Sequence, residues 1–221
     1  MSDNETFYGQ AARQLQRRHD TEKLADALSD AIVADQLSDD QAAFIASLDF
    51  FYLATVSNDG EPTVSYKGGA PGFVRVMSPG KLMFPNYDGN GMFLSMGNIH
   101  ETRHIGLLFM SFETPQRLRV QGKACLQEDA DSLALFPGAN MVVQVDITSC
   151  FVNCARYIHK HSRVEHSPYI PDDLGNQPFP SWKRIDKFKS ALPPEDQDQA
   201  GQHGGLLTHE EYRRLLAKGE S

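Results

Sequence analysis

Between Phe50 and Phe151 the chain is a succession of short aromatic and β-branched runs, each cut off by a Gly, Pro or Asn signal before it can lengthen. The first run, FFYLATVS, reads as a well-buried strand ending at the turn signal Asn58 to Gly60. Further strands are predicted at Pro62 to Lys67, Phe73 to Met77, Lys81 to Asn86, His104 to Phe112, Gln116 to Gln127 and Met141 to Phe151. Gly68, Gly69, Pro71 and Gly72 break one pair, and Ser78 to Gly80 the next. Connections this short suit an antiparallel meander better than βαβ units. One helix, from about Met92 to Arg103, interrupts the series after the fourth strand, and a shorter one is predicted around Ala130 to Phe136. The expectation is a mainly β fold with flanking helices (α+β), a small antiparallel barrel with the first of these helices closing one end.

The flanks read differently. Residues 22 to 34 place Leu24, Leu28, Ala31 and Ile32 on one helical face, with Asp20 or Thr21 as N-cap. Ser38 and Gln41 form a capping-box pattern for a second helix ending near Leu48. Residues 1–48 are thus expected to pack on a barrel of residues 49–154. An irregular, proline-punctuated segment (155–189) then runs at the barrel or dimer surface, and 190–221 reads as a flexible linker with a short terminal helix capped by Thr208 and Glu211. With 221 residues and 40% hydrophobic content, one core domain with extensions is the natural size.

Charge excludes some partners. Twenty-one basic against 29 acidic residues give a net charge of −8, with no long basic run, which disfavours nucleic acid and anionic membranes. Three cysteines, Cys125, Cys150 and Cys154, make no even disulfide framework, and the N-terminus lacks the segments of a secretory signal, so a cytoplasmic location is expected.

The stretch FPNYDGNGMFLSMGN, Phe84 to Asn98, carries the chemistry most open to a ligand. Asn86, Asp88, Gly89, Asn90 and Gly91 supply turn-forming side chains and tolerance of positive φ, and Met92, Phe93, Leu94 and Met96 restore a helical pattern. Free N–H groups at such a helix start favour an anion, and Tyr87 offers a flat surface nearby. A plain strand-to-helix connection would have the same spacing.

Taken together, ATVSNDGEPTVSYKGG, GFVRV, FPNYDGNGM, GLLF and LRVQGKA stand in the order and spacing of the pyridoxamine 5′-phosphate oxidase-like flavoproteins. From about Ala42 to Cys154 the chain resembles that superfamily. It looks closest to the general FMN-binding branch, with YDGNGM in the turn and a later segment, Asn153 to His159, reading NC, one variable residue, then RYIH. The resemblance implies a Greek-key split β-barrel homodimer with FMN at the subunit interface. On the FMN phosphate it implies Ser65, Lys67, Asn90 and the backbone near Gly91. Ser65 stands where the oxidases proper carry an arginine, and Gly89, Asn90 and Gly91 where they carry serine, arginine and lysine. The resemblance also implies Asn86 and Tyr87 beside the flavin ring, with Gly89 and Met92 in the same cofactor-binding turn. Arg117 falls where the family places a residue of the partner subunit near the flavin, and Arg119 shares its strand face. The segment that recognises pyridoxamine phosphate in the family is not matched.

Other constellations are weaker. Cys150, Cys154, His159 and His161 have poor spacing for zinc, so no metal is expected. Arg156, Tyr157, His159 and Lys160 suit either the partner's flavin or an ordinary basic surface loop. His100 and His104 read as helix termination, and no nucleophile motif is present. Two functions stay open: an FMN-dependent oxidoreductase acting on a small molecule, and a non-catalytic flavin-binding or storage protein. A tetrapyrrole or deazaflavin ligand is a further possibility within the superfold.

Overall fold

Burial alternates along most of the strands, and the core lies on their buried side. The computed structural model describes residues 7–220 and divides into two units, one ending at Glu165 and one beginning at His166. In the first unit, helices α1 (Gln10–Arg18), α2 (Glu22–Ile32) and α3 (Asp39–Ser47) precede strands β1 (Phe50–Val56), β2 (Pro62–Gly68), β3 (Arg75–Ser78) and β4 (Lys81–Asn86). Helix α4 (Leu94–Thr102) follows, then β5 (His104–Ser111), β6 (Gln116–Gln127), the short α5 (Ala130–Ala134) and β7 (Met141–Val152).

The strands form one antiparallel sheet in the order β2-β1-β5-β6-β7-β4-β3, leaving β2 and β3 as unjoined edges of a split barrel. The expected antiparallel α+β split barrel is observed, but its order is not a plain meander, because β1 pairs with β5 and β4 with β7, which puts β2 and β3 at opposite edges. Its inner face closes on Phe51, Phe84 and Phe109, all fully buried, with Phe51 centroids 5.0 Å from Phe84 and 5.3 Å from Phe109. Burying a side chain of this size contributes about 1.5–3 kcal/mol. The sheet must bend to close, and it does so at a bulge between Gln121 and Gly122. Gly122 is required there, because an added Cβ would stand 2.6 Å from the Asp146 carbonyl oxygen.

The capping box on α3 forms as expected, Ser38 Oγ accepting from the Gln41 N–H and Gln41 Oε1 accepting from the Ser38 N–H. The face expected to be covered on α2 is not. Leu24, Leu28 and Ile32 are 60%, 47% and 39% exposed, while Ser29 is buried. An Arg13–Asp26 ion pair of 2.6 Å and a Tyr8 hydroxyl bond to the Ala25 carbonyl turn the polar side of α2 toward α1 instead.

In the second unit, two 3₁₀ turns (Ser181–Arg184, Asp186–Ala191) lead to α6 (Pro194–Gln202) and α7 (His209–Lys218). The expected linker is therefore partly helical. Pro194 starts α6, and Glu195 and Asp196 occupy its first turn, where carboxylates favour a helix N-terminus. Asp196 also takes an ion pair from the buried Lys183 at 2.9 Å. The Thr208–Glu211 capping box on α7 forms as expected.

Candidate functional site

Strand β2 is an edge, and its partners on β1 decide where its side chains point. Thr63, Ser65 and Lys67 stand opposite Thr55, Leu53 and Phe51, which are buried, so all three face the inner side of the barrel. Val64 and Tyr66 face the other way and are 70% and 62% exposed. Helix α4 lies along the inner side of β2 and is held there by polar groups at helical spacing. Ser95 Oγ meets Ser65 Oγ at 3.3 Å. Asn98, buried, donates to the Thr55 hydroxyl at 3.0 Å and to the Thr63 hydroxyl at 3.2 Å. Thr102 donates to the Val56 carbonyl at 3.0 Å.

This seam sets the direction of α4, with its N-terminus toward the Ser65 and Lys67 end of β2. The helix begins at Phe93 without a side-chain cap. Its first N–H groups are therefore not satisfied by a side chain of that residue. Lys67 is half-buried, and burial pushes its pKa below the ordinary 10.5. No carboxylate among the described residues offsets that burial. A half-buried cation without a counter-ion, two hydroxyls and an uncapped helix start together fit a phosphate group.

The turn before α4 is open to solvent from Asp88 to Leu94. Gly91 has φ +73° and needs glycine, whereas Gly89 does not adopt a positive φ. Asn90 Oδ1 accepts from the Met92 N–H at 3.0 Å, so this oxygen folds the turn. Met92, Phe93 and Leu94 are 71%, 50% and 53% exposed, and Phe93 sits in the left-handed region at φ 49°. Tyr87 is half-buried, its pKa raised by burial and lowered in part by Arg75. Asn86 is buried and donates to Asn140 Oδ1 at 2.8 Å, tying β4 to the loop before β7.

Arg117 and Arg119 are not part of this cradle within one chain. They alternate with the buried Leu118 and Val120, which puts them on the outer face of β6. Arg119 lies over the Phe151 ring at 5.9 Å. Beyond β7, residues 154–157 and 159–168 are exposed. Cys154 Sγ accepts from the Arg156 N–H at 3.4 Å, and that bond, with the charges of Arg156 and Arg117, holds its thiol below the ordinary value. Among the described residues no group of three His, Cys, Asp or Glu is arranged for a metal ion, and no helix is long and apolar enough to cross a membrane.

The sequence reading missed Ser95, Asn98 and Thr63. Their signal was the polar series Ser95, Asn98, Thr102 at three- and four-residue spacing in a helix whose other face is apolar.

A split barrel with a half-buried lysine, two hydroxyls and an uncapped helix start along its β2 edge is the class that fold and site define. The family model described as pyridoxamine 5′-phosphate oxidase matches residues 37–149, and the chain belongs to that family. No curated protein matches. Among solved structures, one similar to this chain is a Lactobacillus delbrueckii protein whose pyridoxamine 5′-phosphate oxidase assignment is provisional. It is 22% identical, covers 53% of this chain and 95% of its own, and has a TM-score of 0.44. HupZ of Group A Streptococcus is 14% identical, with coverages of 57% and 99% and a TM-score of 0.43. An FMN-binding protein of Syntrophomonas wolfei is 10% identical, with coverages of 63% and 97% and a TM-score of 0.42. Overlaps this partial bear on neither ligand nor activity.

Proposed function

We propose that this protein is an FMN-binding flavoprotein that acts as an oxidoreductase on a small molecule, with a homodimer completing each site. The observation that carries the reading is Lys67, a half-buried cation lacking a carboxylate partner, next to Ser65 and the uncapped start of α4. A phosphate dianion would restore to Lys67 the stabilisation that burial removes, and would accept from the Ser65 and Ser95 hydroxyls and the helix N–H groups. Asn86, Tyr87, Gly89, Asn90, Gly91 and Met92 would form the wall beside it, and Tyr87 offers an aromatic face. When bound, FMN supplies hydride or electron transfer, and the chain's part is to hold it, orient it and exclude water. Arg117 and Arg119 lie on the other face of the sheet, so a second subunit is the route by which they would reach a flavin. The exposed Val64 and Tyr66, together with Phe50 stacked on Tyr66 at 5.4 Å and on Phe112 at 5.8 Å, give that face an apolar surface suited to a second copy. Three free thiols are in keeping with the cytoplasm.

The test is direct. Purified protein should carry, or take up, a yellow chromophore that is released as FMN, and nicotinamide donors should bleach it anaerobically. Protein that stays colourless with added FMN defeats the cofactor reading, and bound FMN that no donor reduces defeats the catalytic one.

A further inference from the structure

Helix α2 carries its apolar residues on the side turned away from α1. Leu24, Ala27, Leu28, Ala31 and Ile32 recur at three- and four-residue spacing and all are exposed, while Asp26, paired with Arg13, and the buried Ser29 lie on the other side. Helix α1 buries none of its residues and α2 buries only Ser29. Helices of nine and eleven residues are marginal alone and gain most of their stability by covering an apolar face. Here that face is bare, so it calls for a cover. Both helices precede Leu37, the first residue of the family match, so the stripe is an addition to the shared barrel.

The stripe is complementary to itself. In an antiparallel pair of α2 helices related by a twofold axis between Ala27 and Leu28, Leu24 of each copy faces Ala31 of the other and Leu28 faces Ala27, so every large side chain meets a small one. Lys23 and Asp30 are one heptad apart, both exposed, and share the flank beside Ala27. Antiparallel packing brings like flanks together, which sets Lys23 of each copy near Asp30 of the other, twice over by symmetry. A parallel pair would keep these two flanks apart.

We propose that α2 is a self-association surface, on which a second copy of this chain packs its own α2 antiparallel through Leu24, Leu28 and their alanine neighbours. The contact is separate from the outer sheet face around Val64 and Tyr66 and does not rest on the FMN reading. A stripe this short falls below the roughly 1,200 Å² of a standard interface, so the association is weak, with a dissociation constant of about 10–100 μM.

Sedimentation velocity on the full chain, from about 1 μM to about 500 μM, reads the association. Wild type should double in mass across that range, whether the unit that doubles is one chain or a sheet-face dimer, and Leu28→Glu should not. The milder Leu28→Ala should raise the dissociation constant about tenfold, and melting curves check that each variant is folded. Lys23→Asp and Asp30→Lys should each weaken association by about three- to tenfold, since each puts like charges together. An equimolar mixture of these two variants should regain it, because the acidic flank of one meets the basic flank of the other only in the antiparallel pair. Wild type with the mass of Leu28→Glu throughout overturns the proposal and leaves the stripe to a different protein. A mixture that associates no better than its components overturns it as well, since the two helices then do not meet along this flank.

Discussion

Ser65 on β2 and Ser95 at the start of α4 lie thirty positions apart in the chain and meet through their hydroxyls at 3.3 Å. The contact fixes the open end of α4 against the strand that carries Lys67, so the cation and the helix start face one space. Further along the same face the helix is held by buried or carbonyl-directed bonds as well. Asn98 donates to the Thr55 and Thr63 hydroxyls and Thr102 to the Val56 carbonyl.

Asn98→Ala should therefore loosen the cradle from beneath. Asn98 is buried and makes two side-chain bonds, and its removal leaves the Thr55 and Thr63 hydroxyls with only each other, at 2.7 Å. A loss of about 1–3 kcal/mol in unfolding free energy is expected from urea titration, with weaker anion binding by the folded protein. Stability within about 0.3 kcal/mol of wild type would show that the seam does not anchor α4.

Lys67→Met should separate stability from binding. The Lys67 pKa in the fold lies below the ordinary 10.5, with burial as the cause. Between these two values the unfolded chain holds a proton that the folded chain has released, so stability of the apoprotein rises as pH climbs through that window. Affinity for an anionic ligand falls over the same interval, because the cation is lost. Lys67→Met should abolish this part of the pH dependence, raise the melting temperature of the apoprotein near neutral pH, and weaken FMN binding about tenfold or more. Melting curves from pH 7 to 10.5, with and without FMN, check it, and a destabilised apoprotein would contradict the burial argument.

How far the sequence discloses this arrangement depends on the range of the interaction. The strands and both capping boxes are local, set by β-branched and aromatic runs, turn residues and a Ser or Thr three positions before Gln or Glu. The ladder direction follows from short turns. The Ser65–Ser95 and Asn98–Thr63 contacts are not local, and no pattern in β2 alone announces that its inner face meets a helix. The leucine stripe of α2 misleads for a related reason: periodicity identifies a face, while the Arg13–Asp26 pair decides which face turns inward. Arg117 and Lys67 both stood out in the sequence, yet only the register of the sheet puts them on opposite faces.

Gly122→Ala should damage the barrel where LRVQGKA bends. A Cβ at this position would meet the Asp146 carbonyl oxygen at 2.6 Å and Val145 Cγ1 at 2.7 Å. Backbone cannot yield as a flexible side chain would, so the bulge between β6 and β7 must open. A destabilisation of about 1–3 kcal/mol or more is expected in denaturant titrations. Gly106→Ala serves as the contrast, because its added Cβ meets only Ala54 Cβ at 3.7 Å, and a Gly122→Ala protein as stable as this control would refute the close-packing argument.

Alkylation should rank the three thiols by surroundings. Cys154 is exposed, and the Arg156 N–H together with the Arg156 and Arg117 charges favours its thiolate. Cys150 is fully buried, its Sγ directed to the Gln36 carbonyl at 3.2 Å, and burial pushes its thiol up. Iodoacetamide at pH 7 should label Cys154 first, Cys125 more slowly, and Cys150 only as the protein unfolds. Because the Cys154 pKa is lowered, its labelling rate should level off at a lower pH than that of a free cysteine, and Arg117→Ala together with Arg156→Ala should move that plateau upward. The backbone bond from residue 156 survives both substitutions, so part of the lowering should remain. Mass spectrometry of labelled peptides across pH 5 to 10 reads both effects, and a Cys154 rate no faster than that of Cys125 would refute the electrostatic account.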